Sequence, residues 1–525
     1  MSGSQSQLAT QTPPISISFN EIPANLQVPG AFVEIAPNYD ASGLIAYPAK
    51  VLICSSIVAG GTIAPLTAVQ VFTPQQAALL LGYGGIGHRM VTAFIRANPW
   101  TALFVMGIPD GSTPAVNTWT IPITATSLTG PAGPLNLYVG GQQISVTVTP
   151  GVDTATTIAA NIVLAANALL PPLPVIATSS TNTVTLTSRD KGVLTKQLDV
   201  RWNLLPGDNF PGGQTAGAYN LLAPITNNAN GAGLNSIGNA FAAIPSTWFT
   251  HFVIPWSDSV TMGLVATEMA RRFNSMVGLD GRCFSFVSQT SLTNLIAVTS
   301  GLNSQFISIG GLQNEPTAPW EMAALYAGVA VFNLVNDPSR QLRNLVLPGA
   351  VAPASADILT ETAEQTMLTT GMATFTVGND GTVRIQRAVS TYQFASGSIP
   401  DTSWMDIMTA ETMSRIRYDW ISYVGLTYPR NKMAADGTIA AEYDDTIVTP
   451  RRMQSSWGAR CRLYEQLGWI QNSQATVAAS VFQLDATNPN RMDARMQIQL
   501  IDNLMIFAGQ LQFSLLADVA TTAQT

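Results

Sequence analysis

Three kinds of residue cluster in this chain could do chemistry. Gly82-Tyr-Gly84-Gly-Ile-Gly87 fits G-x-G-x-x-G, the turn that lets a dinucleotide's phosphates approach the backbone at a helix start. That fingerprint must follow a strand. Here an Ala/Leu-rich helical pattern, Pro74–Leu81, precedes it, so the glycines read as a linker between two helices. Asp406 with Glu411, and Asp444 with Asp445, are carboxylate pairs of the kind used by general acids and bases or by a metal. Clustered His or Cys ligands are missing, which assigns the pairs to a helix face and a solvated loop. His88 and His251 have no nucleophile motif around them: no G-x-S-x-G elbow occurs, and none of the four lysines follows a glycine as in a P-loop. Both read as structural histidines. Arg415-x-Arg417, Arg451-Arg452 and Arg460-x-Arg462 could hold phosphate, but Asp419, Asp444, Asp445 and Glu465 interleave with them. That pattern describes a mixed-charge face for contacts with protein. Catalysis is not expected, and neither is a cofactor or a metal.

Composition agrees with a contact-making chain. Charged residues make up 10% of 525, well under the ~25% of an ordinary soluble protein. No Asp, Glu, Lys or Arg occurs between Phe210 and Ser257. Such a chain would be poorly soluble as a free monomer, so much of its surface should be covered by other protein. Arginine outnumbers lysine 20 to 4, the bias of interfaces, although a genomic preference for Arg codons would give the same ratio. A net charge of −7 without basic runs argues against nucleic acid as a partner. Cys54 and Cys283 sit in apolar strand-like runs and read as buried free thiols, with Cys461 in a separate part of the chain. Met1–Pro14 lacks the basic and apolar regions of a signal peptide, so synthesis and assembly in a cytoplasm are expected. The uncharged run Thr154–Ser188 is broken by Pro171, Pro172 and Pro174 and studded with Thr and Asn, so membrane insertion is not expected.

The elements that must position these residues follow from periodicity. Val51–Ser55 and Leu103–Met106 read as buried strands, with helices at Pro74–Leu81 and Met90–Ala97 between them. After Asp110 the rhythm shifts to short alternating strands, Trp119–Ile123, Leu135–Val139, Ile144–Val148 and Val184–Thr187, around a helix Thr154–Leu170 with Asp153 as its N-cap. Buried strands return at Phe252–Ile254, Cys283–Val287 and Phe306–Ile309, with helices at Val260–Met276, Ala318–Val335 and Thr360–Thr369. Residues 401–500 hold 21 of the chain's 55 charged residues. A helix capped by Thr402 or Ser403 should run to Tyr418, with Met405, Met408, Thr412 and Ile416 on one stripe. Trp457–Leu467 reads as another helix. Met492–Leu500 and Leu511–Leu515 read as closing strands.

Gly371–Tyr392 is a hairpin: β-branched arms flank Gly378-Asn-Asp-Gly381, whose residues tolerate positive φ, and Val383, Ile385, Arg387, Val389 and Thr391 share a face. Far upstream, Val28-Pro-Gly-Ala-Phe-Val-Glu34 is a turn leading into a strand. Pro29-Gly30-x-Phe32, Leu368-Thr-Thr-Gly371, Asp380-Gly381-x-Val383, Arg387 and Thr391-Tyr392 together resemble the contractile tail-sheath proteins of Mu-like phages, with Ser390 where Thr is commoner. Asn303-Ser304, Asp337-Pro338 and Leu347-Pro348-Gly349 fall where tail sheaths carry similar words.

The resemblance implies an α/β multidomain protein: a parallel α/β core (46–110 and 211–360), an inserted α+β domain on the outer surface (111–210), and a C-terminal α+β domain (361–502) that is innermost and polymerising. Arms at 1–45 and 503–525 would exchange strands with neighbouring subunits. Donor strands would carry Ile15, Ile17, Phe19, Phe32 and Val33 at one end and Leu511, Phe513 and Leu515 at the other. Acceptors would be the hairpin with Val383, Ile385 and Arg387, and the strand with Met496 and Ile498. Arg415, Arg417, Arg430 and Lys432 would face the tail tube. Expected partners are the chain itself in stacked hexameric rings, a tail tube protein, and baseplate and terminator proteins, all within a virion tail that contracts to deliver a genome. A tailocin or other contractile injection system gives the same sequence signals. An α/β enzyme with an accessory β domain would need a convergent polar site, and a secreted adhesin would need a leader.

Overall fold

The computed structural model describes residues 43–111, 115–124, 129–212, 214–222 and 236–513. The chain divides into two compact units, Met1–Ile45 and Ala46–Thr525. Among the described residues, every helix and strand belongs to the second unit. The candidate arm residues Ile15, Ile17, Phe19, Phe32, Val33 and Leu515 lie outside the described residues.

The chain enters with β1 (Lys50–Ser56), then an edge strand β2 (Ala68–Val71), helices α1 (Pro74–Leu81) and α2 (Ile86–Ala97), and β3 (Ala102–Ile108). Every residue of β1 beyond Lys50 is buried, as in a strand covered on both faces. The glycine stretch therefore links two helices, as expected, although Ile86 and Gly87 already belong to α2.

Next comes the insertion. Strands β4 (Val116–Pro122), β5 (Gly133–Val139) and β6 (Gln142–Val148) precede α3 (Ala155–Ala168), and β7 (Val175–Ser180), β8 (Thr183–Lys191) and β9 (Val200–Trp202) follow it. They form two antiparallel sheets, β4-β8-β7 and β6-β5-β9, with α3 against β6, β7 and β8. The N-cap of α3 is Thr154, whose side chain accepts from the Thr157 amide; Asp153 instead accepts from the Thr149 amide at 2.7 Å. Periodicity did not reveal β7 and β9.

The core resumes with α4 (Ser236–Ala243), β10 (His251–Val253), α5 (Ser259–Phe273), β11 (Arg282–Gln289), α6 (Leu292–Thr299), β12 (Ile307–Gln313) and α7 (Pro319–Asn336). One sheet runs β12-β11-β10-β1-β3-β2, parallel except for β2. Strand order reverses between β1 and β10, so the sheet has a switch point there. Helix α7 is buried along nearly its whole length, with Trp320 and Tyr326 inaccessible, and packs on α2 and β11.

Behind α8 (Glu361–Thr369), the hairpin β13 (Thr374–Val377) and β14 (Val383–Arg387) forms as expected. A second small hairpin, β15 (Phe394–Ala395) and β16 (Ile399–Pro400), leads to α9 (Ile407–Thr427). Helix α9 starts later than the sequence predicts, because residues 403–405 form a turn and Asp406 stays extended: Ser390 donates its amide to Met405 O at 2.7 Å and Val389 bridges Asp406. It also runs past Tyr418. Met408, Thr412 and Ile416 are buried along it, as the stripe requires. The remaining elements are β17 (Lys432–Met433), α10 (Ile439–Tyr443), β18 (Ile447–Val448), α11 (Pro450–Gln466), α12 (Ser473–Ala479), β19 (Val481–Leu484) and β20 (Met492–Arg495). Among the described residues no helix is long and apolar enough to cross a membrane.

Candidate assembly surfaces

The hairpin is built into the core rather than hung from it. Its turn closes through Gly378 N to Thr382 O at 2.8 Å. Asp380 accepts from Thr382 and Arg384, which holds its carboxyl down at about 2. Val383, Ile385, Val389 and Thr391 are buried on one side, as their spacing predicts. Ala373 donates to Ile309 O and Thr391 to Ile307 O, both at 2.9 Å, so the flanks of the hairpin occupy the β12 edge. Gly310 makes this approach possible, since a Cβ there would stand 2.6 Å from the Phe286 ring and 2.7 Å from that of Phe375. The outer edge of β14 is also taken. Leu347 donates to Val383 O, Ile385 to Leu345 O, and Asn344 to Ile385 O, at 2.8 to 2.9 Å. The expectation of an open acceptor edge at Val383, Ile385 and Arg387 is therefore corrected. Arg387 instead forks onto Asp406 at 2.9 and 3.0 Å.

An open edge does exist further on. Among the described residues β19 and β20 pair only with each other, and a depression of about 400 Å³ lies beside Val481, Gln483, Asp493, Ala494 and Arg495. The expected strand Met492–Leu500 is cut to four residues. Its partner runs out, because helix α12 ends at Ala479 and Val481 opposite Arg495 is the last available pair. Met496 and Ile498 thus lie beyond the strand, on a segment that instead meets residues 470–471 through Gln471 N to Gln499 O. The chain then passes 341–343, where Gln341 and Arg343 donate to Leu504 O and Met505 O. Among the described residues, 506–513 have no regular structure, yet they present Ile506, Phe507, Leu511 and Phe513, each at least 80% exposed.

Four cations were expected on a common partner-facing surface, and the structure separates them. Arg415 is stacked over the Tyr47 ring at 4.4 Å. Arg417 reaches Asp280 at 3.3 Å and Phe273 O at 2.8 Å. Both are engaged within the chain, where α9 meets the amino ends of β10 and β11. Beside them Glu411 accepts from Arg282 at 2.8 Å and lies 3.7 Å from His251 Nε2. Arg430 is exposed, and Lys432 pairs with Asp444 at 2.9 Å in solvent. Near them α10 exposes Ile439 and Tyr443. Their i, i+4 spacing, which puts both on one helix face, was the readable signal for this surface. Arg460, by contrast, is buried and forks onto Asp419, which also accepts from Tyr464 at 2.6 Å.

The residues that suggested chemistry are individually accounted for. Asp406 and Glu411 each face their own arginine, and Asp445 is fully solvated. His88 accepts from Gly84 N at 3.1 Å, and His251 shares a hydrogen bond with Thr250 at 2.9 Å. Burial pushes both imidazoles down to about 4. Among the described residues no group of three or more His, Cys, Asp or Glu is placed to hold a metal. One buried carboxyl stands apart. Glu315 lines a cavity of about 320 Å³ at the carboxyl ends of β11 and β12, and burial pushes it up to about 8.

No family model matches the chain. It is 28% identical over 503 residues to the Mu-like prophage FluMu tail sheath protein of Haemophilus influenzae, a match spanning 95% of this chain and all of that one. The chain is a relative of Mu-like tail sheath proteins. Solved structures similar to this sheath relative include the sheath tail proteins of Desulfitobacterium hafniense and Listeria innocua. Each is 11% identical, with TM-scores of 0.49 and 0.48, over 90% and 88% of this chain and 97% and 94% of theirs.

Proposed function

We infer that the chain is the structural subunit of a contractile tail sheath, a polymer of copies of itself. The end-to-end match with a tail sheath protein carries this reading. An unfinished C-terminal region supports it. In this reading the apolar segment around Leu511 and Phe513, together with the arm 1–45, adds strands to the edges of β19 and β20 of neighbouring subunits. Backbone hydrogen bonds would supply strength, and alternate side chains would set register. Subunits joined in this way slide and turn without separating. An extended sheath around a rigid tube stores free energy, a baseplate releases it, and contraction drives the tube through the host envelope to deliver the genome. The tube-facing surface is assigned to Arg430 and Lys432 with Ile439 and Tyr443, because Arg415 and Arg417 are already engaged. The insertion, 111–210, is assigned to the outer surface, and its excision should leave a thinner sheath.

The test is electron microscopy of the purified full chain. Rings or tubes are expected, and strictly dispersed monomers at high concentration would sink the reading.

A further inference from the structure

The G-x-G-x-x-G turn that carried no catalytic role forms a real site in space. It lies at the carboxyl end of β1, at the switch point of the parallel sheet, where open α/β sheets seat their ligands. Gly85 caps α2 without a side chain, which leaves the first amides of the helix to be satisfied from elsewhere. The group that arrives is a carboxylate of the chain itself. Asp190, near the end of β8 and 2% exposed, accepts from Ile86 N at 2.8 Å. Its other oxygen accepts from the hydroxyl of Ser56, the last residue of β1. Neighbouring Arg189 lies across Gly84, whose φ of 77° and lack of a Cβ admit the guanidinium, and donates to Leu173 O at 2.9 Å.

A second clasp sits one turn along the same helix. Arg89, 3% exposed, donates to Glu321 of α7 at 2.6 Å, and to Gln142 and Pro172 O of the insertion at 2.7 and 2.6 Å. Helix α2 thus receives one polar group from the insertion and extends another into it.

We propose that Asp190 is a built-in anion that docks the insertion onto the core, occupying from within the chain the helix-terminus seat that an anionic ligand takes in other open α/β sheets. The helix terminus and two donors favour an anion there. Burial and Asp110 oppose it, while Ser56, Ile86 and Arg189 support it, and the carboxyl is pushed up to about 6.

Hydrogen exchange on the full chain tests this. Asp190→Ala should speed exchange by about tenfold or more in residues 84–90 while the interiors of β5, β6 and β8 stay protected, because docking is lost and folding is not. Sodium formate should restore protection at 84–90 in Asp190→Ala, by entering the vacated seat. It should do nothing for Arg89→Met, which breaks the other clasp. Asp190→Asn, which keeps the shape and an acceptor, should fold and show a smaller loss without a formate response. Loss of protection spread evenly through the insertion would overturn the proposal. So would wild-type protection in both Asp190 variants, or an equal formate effect on Arg89→Met.

Discussion

The six-stranded core sheet and the small sheets beyond residue 390 are made by one chain in opposite ways. The core closes on itself. Its strands are buried, its β12 edge is occupied by residues 373 and 391, and the stretch from Phe210 to Ser257 has no charge. The later sheets, β15-β16, β17-β18 and β19-β20, have two strands each of two to four residues, within a region that holds 21 of the 55 charged residues. A lone two-stranded sheet is marginal in water. The core sheet is thus largely covered within the chain, whereas the small later sheets offer the edges that the proposed sheath would complete with strands from neighbours. A polymer that must move while staying joined benefits from that division, since rigid bodies can then be linked by strands instead of by rebuilt cores.

The largest break in this comparison should come from removing residues 503–525. The truncated chain should keep its circular dichroism and thermal transition but form no polymer. Tubes of normal length from the truncated chain would show that neighbours do not complete the C-terminal region. Next in size is Asp419→Ala, which strands the buried Arg460 guanidinium. Breaking one side of such a pair costs about 3–5 kcal/mol. Denaturant unfolding should show that loss, with exchange rising in α9 and α11 before β1 or β11.

Glu315 sharpens the contrast from the core side. Its carboxyl is ordinarily near 4.5 and stands at about 8 in the fold. Between those values the folded group holds its proton while the unfolded one has lost it, so stability falls as pH rises through this window. Glu315→Gln should flatten that slope and melt higher than the wild type above pH 8. Identical melting curves across the range would contradict it. The smallest effect belongs to Lys432→Ala, which removes an exposed, solvent-screened pair with Asp444. Its melting point should barely change, whereas retention of tubes in a pull-down should fall if this face grips them.

Where the sequence was readable, and where not, follows the same division. Runs such as Val51–Ser55 and Cys283–Val287 announce a doubly covered sheet by hydrophobicity alone, and Gly378–Gly381 announces its own turn. The start of α9 was hidden, because it depends on Ser390 pairing with Met405 across the hairpin. The shortness of β20 was hidden too, since it is set by where α12 ends. Arg415 and Arg417 were expected to face the tube, and both are engaged within the chain. Their partners, Tyr47 and Asp280, come from segments more than a hundred residues away, which no local pattern reports. The proposed assembly surface rests mainly on resemblance, because strand addition needs only backbone.

The three cysteines bear on durability. Cys54, Cys283 and Cys461 are all buried as free thiols, and burial pushes the first and last up to about 12, so almost none of the reactive thiolate is present at neutral pH. In the proposed sheath, neighbouring subunits would then meet oxidants without gaining a disulfide crosslink between them.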